Sequence, residues 1–182
     1  MKKFTLNRED TALVIIDIQE RLAAAMPDRE RTIANNEILL SAAETLGLPV
    51  IATEQYPKGL GRTVPELLGR LDEKYVFAKT SFNACFGDIA RAVKDTGRTS
   101  VLVTGMETHV CVFQTVRALV EGGYTVHVAR DAVASRTKEN YENGLALMQA
   151  LGAVITNTET AVFDLLKEAG TPEFKTMSAL IK

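Results

Sequence analysis

The sequence has little of what marks a secreted, membrane or nucleic-acid-binding protein. Its 182 residues include two cysteines, too few for a disulfide framework, so each is judged as a free thiol. No apolar run reaches the length of a membrane span, and no apolar segment of a signal peptide follows the basic start MKKFTLNRED. The net charge is −2, with Lys and Arg scattered, which gives no electrostatic reason to expect nucleic acid or an anionic membrane. We predict a cytoplasmic protein that acts on a small molecule, without nucleic acid or membrane as partner.

Glycine-rich loops and low-complexity segments are also missing. The residues after the first apolar run, IQERLAAA, form no phosphate-binding loop, which argues against a nucleotide-binding protein of the flavodoxin or Rossmann type. The chain is 46% hydrophobic and 24% charged, and neither linker nor repeat interrupts it. This composition predicts one compact domain over 1–182.

Apolar runs of strand length alternate with segments of helical period along the chain. The predicted strands are 11–18, 49–54, 75–80, 100–105, 124–133 and 153–158. Helices are predicted at about 28–46, around 86–93, after residue 108 up to Gly122 and Gly123, around 141–148 and at about 162–168, with a loop at 55–66. Six strands that are mostly continuous in apolar residues and separated by helices predict a parallel sheet covered on both faces.

Polar residues stand where these strands end, at the sheet edge where ligands of such folds bind. They are Asp17, Glu54, Lys79, the turn GMETHVC after the fourth strand, and Arg130 with Asp131. Asp17 and Lys79 each interrupt an apolar strand, and a buried carboxylate is costly without a partner. The two could form a purely structural ion pair. Alternatively, the carboxylate accepts a thiol proton while the ammonium stabilises negative charge.

The thiol for that chemistry is Cys111 in TGMETHVCVFQTV. With Thr108 as helix N-cap, Cys111 is the third helical residue, where unpaired amides would lower the pKa of the thiol and could bind an oxyanion. The alternative is that Cys111 is simply a small buried apolar residue.

These residues resemble the isochorismatase-like cysteine hydrolases, a superfamily that includes nicotinamidase and N-carbamoylsarcosine amidohydrolase. The resemblance covers nearly the whole chain and depends on VIIDIQ, on the lysine of FAKTSFNAC and on TGMETHVCV. The stretch ATEQYPKGLGRTVPEL is similar to the isochorismatase domain-containing subgroup. The implied fold is a three-layer α/β/α sandwich with a Rossmann-like, six-stranded, mostly parallel sheet, and a homo-oligomer, dimer or higher, is implied too.

The same resemblance implies roles for individual residues. Asp17, Lys79 and Cys111 would form a catalytic triad, and the backbone amides of Glu107 and Cys111 an oxyanion hole. It also implies a cis peptide between Met106 and Glu107, a bond type found at active sites.

Two features depart from well-known members of the superfamily. Nicotinamidases hold a metal with histidines between the first and third strands, whereas the histidines here are His109 and His127. We therefore expect no metal and no cofactor. True isochorismatases lack the nucleophilic cysteine, so Cys111 argues against isochorismate hydrolysis.

Other residues are assigned with alternatives. Phe82 and Phe113 could form apolar walls of a substrate pocket or belong to the core, and Tyr56 could be part of a lid or of a solvated turn. Cys85, the rival thiol, is interpreted as a packing residue. Gln19 would support local hydrogen bonding, and Glu107 could face substrate or solvent.

The sequence thus predicts a metal-independent hydrolase of a small-molecule C–N bond, an amide or carbamoyl compound, that works through a thioester. The alternative is a non-catalytic or redox-responsive interaction module on the same fold, with the 54–66 loop as a partner surface.

Overall fold

The computed structural model describes residues 2–181, at whose centre lies a sheet of six strands that all run parallel. The strands are β1 (Thr11–Ile16), β2 (Val50–Gln55), β3 (Val76–Lys79), β4 (Ser100–Met106), β5 (Thr125–Ala134) and β6 (Val154–Thr156). Their order across the sheet is β3-β2-β1-β4-β5-β6. The predicted six strands are confirmed, and the sheet is entirely rather than mostly parallel.

Helices cover both faces of this sheet. They are α1 (Glu20–Ala24), α2 (Arg29–Leu46), α3 (Pro57–Leu60), α4 (Pro65–Leu68), α5 (Gly87–Asp95), α6 (Phe113–Glu121), α7 (Lys138–Ala150), α8 (Thr158–Leu166) and α9 (Pro172–Leu180). Along β1, Leu13 and Ile15 pack with α2, α8 and α9, whereas Val14 and Ile16 pack with α5, α6 and α7. Alternate side chains of a strand point to opposite faces, so an all-apolar strand fills two cores at once. The predicted three-layer sandwich is confirmed.

Several helix predictions need correction. The predicted 55–66 loop contains α3 and the start of α4, because Pro57 and Pro65 each occupy a first helical position, where proline is favourable. Helix α9 was not predicted, although Thr171 caps it by accepting from the Phe174 amide at 3.1 Å, next to Pro172. Within residues 2–181, no helix is both long and apolar enough to cross a membrane.

The order of the strands sets the position of the site. The chain moves from β1 outward to β2 and β3, then returns across the sheet to β4 on the other side of β1. Ligands of such sheets bind at this switch point, outside the carboxyl ends of the strands. Asp17 follows β1 there, and the GMETHVC turn begins at the end of β4.

Candidate active site

A buried ion pair joins the ends of two strands at the switch point. Asp17 is fully buried, with its backbone at φ 52°, a region that aspartate tolerates better than most residues. One carboxylate oxygen accepts from the Thr53 hydroxyl at 2.7 Å and the other accepts from Lys79 Nζ at 2.6 Å. Both oxygens therefore have partners, which offsets the cost of burying the charge.

The ammonium of Lys79 has three donors, and each has an acceptor. Besides Asp17, Nζ donates to Gln55 Oε1 at 2.7 Å and to the Ser81 carbonyl at 3.2 Å. The lysine side chain is 4% exposed. Its charged end is thus held in one place by β1, β2 and the segment after β3.

Two glutamines extend this network toward the 56–64 segment. Gln19 and Gln55 bind reciprocally: Gln19 Oε1 accepts from the Gln55 amide at 2.7 Å, and Gln19 Nε2 donates to the Gln55 carbonyl at 3.0 Å. Gln19 Nε2 also donates to the carbonyl of Gly61 at 2.7 Å. Gln55 Nε2 donates to the Thr80 carbonyl at 2.8 Å, which turns its oxygen toward Lys79. The local role predicted for Gln19 is confirmed, whereas Gln55 was missed because a glutamine at a strand end carries no recognisable motif.

Cys111 lies on a wide helical turn, Thr108–Val112, directly before α6. The Val112 amide donates to the Glu107 carbonyl at 3.2 Å, the i to i−5 pattern of a π turn, which is frequent at functional sites. The N-cap is Glu107, without a side-chain cap bond, so the prediction of Thr108 as N-cap is wrong by one residue. Cys111 is consequently the fourth residue of the turn.

Close packing of β4 on β1 leads the chain into this turn. Gly105 has φ 124°, and a Cβ there would lie 2.0 Å from the carbonyl oxygen of Ile16. Only glycine fits, because any side chain would collide with the backbone that precedes Asp17. The Met106–Glu107 peptide that follows is cis, as the resemblance implies.

The pKa of the Cys111 thiol is raised to about 12, first by burial and next by the negative charge of Asp17, while Lys79 lowers it. The expected lowering of the Cys111 pKa is therefore wrong for this structure, because burial is the largest influence and disfavours the thiolate. Burial also raises the pKa of Cys85 to about 12. The charges of Asp17 and Lys79 shift the pKa of Cys111, whereas burial alone shifts that of Cys85.

Glu107 points neither at a substrate region nor freely to solvent. Its carboxylate is buried and accepts from the backbone amide of Arg136 at 3.1 Å and from Arg136 Nε at 3.0 Å. This pairing raises the pKa of Arg136 above its usual range. The side chain of Glu107 therefore anchors the turn, and the oxyanion role of the Glu107 and Cys111 amides stays a prediction.

The two histidines lie on different elements, His109 on the turn that contains Cys111 and His127 in β5. His109 is half-buried, with Nδ1 3.0 Å from the Ser135 hydroxyl. His127 is buried in β5, where burial lowers its pKa, and its Nε2 has no hydrogen-bond partner among the described residues. Within residues 2–181, no three His, Cys, Asp or Glu side chains lie close enough together to hold a metal ion.

The remaining polar strand ends stabilise loops and helix starts. Glu54 Oε1 accepts from the Thr63 amide at 2.7 Å and its hydroxyl at 2.9 Å, which ties the 56–64 segment to β2. Asp131 Oδ1 accepts from the Thr158 amide at 2.8 Å, at the start of α8. These groups are structural.

The aromatic residues predicted for a substrate pocket take different positions. Tyr56 is 54% exposed and lines a cleft of about 640 Å³ that Lys79 also lines. Phe82 is exposed and Phe113 packs half-buried against the core around Cys111, but neither lines this cleft. The pocket role of these two phenylalanines stays a prediction without support from the cleft.

Comparison with known proteins identifies the family. The model of the isochorismatase domain family matches residues 11–160 of the chain. The chain belongs to the isochorismatase family. A secreted isochorismatase effector, Isc1 of Phytophthora sojae, is 39% identical over 177 residues, 94% of this chain and 84% of that protein.

Solved structures of the isochorismatase fold superpose on most of the chain. MAR1 ribonuclease from Caenorhabditis elegans is 37% identical, with a TM-score of 0.91 over 97% of this chain and 92% of that one. YcaC from Pseudomonas aeruginosa, solved with hexane-2,5-diol and covalent acrylamide, is 27% identical, with a TM-score of 0.88 over 97% of this chain and 91% of that one. Because the Phytophthora relative is secreted, family membership does not fix the cellular compartment, and the cytoplasmic location stays a prediction.

Proposed function

We propose that the protein is a cysteine-dependent hydrolase of a C–N bond in a small amide or carbamoyl compound. The observation that carries this proposal is the buried pair of Asp17 and Lys79, 2.6 Å apart, at the strand-end edge where the buried thiol of Cys111 also lies. The two charges shift the pKa of that thiol in opposite directions. A purely structural ion pair would need no thiol beside it. In an isochorismatase-family chain, a base, a cation and a nucleophile at one strand-end edge support covalent catalysis.

The reaction begins with transfer of the thiol proton of Cys111 to the carboxylate of Asp17. The thiolate attacks the substrate carbonyl carbon, and the oxyanion that forms is held by the amides of Glu107 and Cys111. The tetrahedral intermediate collapses as Asp17 returns the proton to the leaving nitrogen, which departs as ammonia or an amine. A thioester on Cys111 remains.

Water completes the cycle. Asp17 removes a proton from a water molecule whose oxygen attacks the thioester carbonyl, and the thiolate leaves and regains that proton. The products are a carboxylic or carbamic acid and the free thiol. Lys79 stabilises the negative charge that moves between Asp17 and Cys111.

The high pKa of Cys111 fits a resting enzyme that keeps its thiol protonated. A pKa of about 12 leaves little thiolate at neutral pH, which limits oxidation of the free enzyme. Proton transfer to Asp17 then accompanies attack on bound substrate.

The proposal is tested by release of ammonia or amine from a panel of small amides and carbamoyl compounds. Wild type should turn over at least one of them, and Cys111→Ala should abolish that turnover with the fold intact by circular dichroism. Cys85→Ala is the matched control and should remain active. Turnover that survives in Cys111→Ala would overturn the mechanism.

The Caenorhabditis relative is named a ribonuclease. Cleavage of an oligoribonucleotide is therefore measured alongside the amide panel. The net charge of −2 and the apolar walls of the cleft beside Lys79 do not favour a polyanion. If wild type cleaves an oligoribonucleotide but no amide, the substrate class proposed here is wrong. If it cleaves neither an amide nor the oligoribonucleotide, the interaction-module hypothesis takes its place. Homo-oligomerisation stays a proposal too, and sedimentation of the purified chain tests it.

A further inference from the structure

The cleft beside Lys79 follows the open edge of the sheet. Its volume is about 640 Å³, in the range of small-molecule sites. One wall is β3, with Phe77 and Lys79, and the opposite wall is the start of α5, with Phe86 and Ile89. Tyr56 closes one side.

This cleft lies on the same face of the sheet as the thiol. Ile89, which lines the cleft, belongs to the buried apolar cluster that contains Cys111, and Phe77 packs against that cluster. Lys79 follows Phe77 by two positions, so the two side chains leave β3 on the same side. Through Lys79 the cleft is continuous with the Asp17 network.

Two aromatic rings at the cleft are exposed in the free protein. Phe86 is 75% exposed at the N-cap of α5, a position that gains nothing from a phenyl ring, and Tyr56 is 54% exposed. Such neighbouring rings leave apolar area uncovered beside a polar network, which is typical of a ligand-binding surface.

The Tyr56 ring is already held in place. The residue has φ 38°, and its backbone amide donates to the Lys79 carbonyl at 2.8 Å. Its ring rests on Gly59, where an added Cβ would lie 2.5 Å from Tyr56 Cδ1. Less conformational freedom of the Tyr56 ring is therefore lost when a ligand packs on it, which reduces the entropic cost of binding.

The charges around the cleft largely cancel. Lys79 pairs with Asp17, and Asp88, another lining residue, pairs with Arg91 at 3.1 Å. Within the described chain, Lys58 is the one charged lining residue without an ion-pair partner within 4.0 Å. A neutral ligand suits this balance better than a polyanion.

We propose that this cleft binds a ring-sized apolar group, aromatic or branched aliphatic, of a neutral amide whose carbonyl lies toward Lys79. Cys111 does not line the cleft and is linked to it through the apolar cluster that it shares with Ile89. Tyr56 and Phe86 are the residues that select for this group. The assignment of the carbonyl depends on the proposed function, whereas the apolar site itself does not.

The test measures binding to the Cys111→Ala protein, which cannot turn the ligands over by the proposed route. Dissociation constants of acetamide and benzamide are compared by NMR titration. Benzamide should bind at least about tenfold more tightly, because its ring buries roughly 100 Å² of additional apolar surface. Equal affinities for the two amides would overturn the proposal.

Variants then locate the binding. Phe86→Ala and Tyr56→Asn, the latter chosen because asparagine tolerates the left-handed backbone, should remove most of the preference for benzamide. Phe4→Ala is the matched control, since Phe4 is 55% exposed but does not line the cleft. An equal loss in Phe4→Ala contradicts the proposal. The proposal is also contradicted if Phe86→Ala changes the oligomeric mass but not the affinity for benzamide. The exposed rings would then form a contact between chains.

The two proposals can fail separately. Preferential binding of benzamide with turnover retained in Cys111→Ala leaves the cleft assignment intact and removes the mechanism. If turnover requires Cys111 but binding shows no preference for an apolar group, the mechanism stands and the cleft assignment is removed.

Discussion

Cys111 and Cys85 are both free thiols of the same layer, but the charges around them differ. Burial raises the pKa of both thiols to about 12, and both pack with the same apolar cluster. They differ in their charged neighbours: Asp17 and Lys79 act on Cys111, in opposite directions, whereas burial is the only cause of the shift at Cys85. A buried thiol next to a proton acceptor and a cation can exchange its proton locally, while one surrounded by apolar groups has nowhere to send it.

The largest expected difference between the two cysteines appears when each thiol is removed in turn. Cys111→Ala should lower turnover by a factor on the order of 1,000 or more, because the nucleophile is gone. Cys85→Ala should keep turnover within about twofold of wild type, as expected for a packing residue. The measurement is kcat/KM on the best amide of the panel. Equal losses in the two variants would mean that the thiols do not differ in function.

Removing the charge of Asp17 should make alkylation of Cys111 faster and turnover of the amide slower. Asp17→Asn deletes a group that raises the pKa of Cys111, so alkylation of Cys111 by iodoacetamide should become faster at pH 7 to 9, by about tenfold for each unit by which the pKa falls. Turnover should nevertheless fall by about 100-fold or more, since the base is lost. Peptide mass spectrometry follows both thiols, and Cys85 is the internal control because Asp17 is not among the causes of its shift. Slower alkylation of Cys111 would contradict the assigned charges.

The glutamine that orients Lys79 offers a milder perturbation. Gln55→Leu removes the acceptor 2.7 Å from Nζ and leaves the Thr80 carbonyl without that donor, so kcat/KM should fall by about tenfold to 100-fold. The pH profile of Cys111 alkylation should shift while that of Cys85 does not. Gln55→Glu, which keeps an oxygen acceptor, should recover part of the activity. A shift of both thiol profiles would indicate a general loss of structure.

The smallest expected effect concerns the buried histidine of β5, His127. Burial lowers the pKa of His127, although Asp164 and the Lys3 backbone oppose the shift. Because the unfolded chain then binds more protons than the folded one, stability should fall as pH drops through the unfolded value of about 6.5. His127→Gln should show a shallower fall in melting temperature between pH 7.5 and 5.5. An identical slope in both proteins would mean that His127 does not contribute.

The elements of the sheet were predictable because their signals are local. Each strand is a short apolar run between turn residues, and continuous runs such as TALVII fit a strand buried on both faces. Helix α9 was missed although its cap, Thr171 followed by Pro172, is also a local signal. The short helices α3 and α4 begin at prolines that were predicted to be loop residues.

The site was predicted only in part. Asp17 and Lys79 were predicted because each charge interrupts a predicted apolar strand. Their contact depends on the length of the lysine side chain, because β2 lies between β3 and β1. Gln55 and Phe86 gave no such signal, since a glutamine and an exposed phenylalanine acquire a role only from what the fold brings beside them. The direction of the Cys111 pKa shift was wrong because position on a helix is local, whereas burial depends on the packing of the whole layer.

By itself the sequence determined the alternation of strands and helices, the two-sided apolar sheet and the residue types available at the strand ends. These follow from hydrophobic period and turn chemistry, which act between residues close in the chain. Only the tertiary structure decided that Asp17 Oδ2 lies 2.6 Å from Lys79 Nζ, that Cys111 is buried beside them and that a cleft opens along β3. Each of these depends on contacts between distant segments, and both the electrostatic balance and the shape of the cleft arise when those segments pack together.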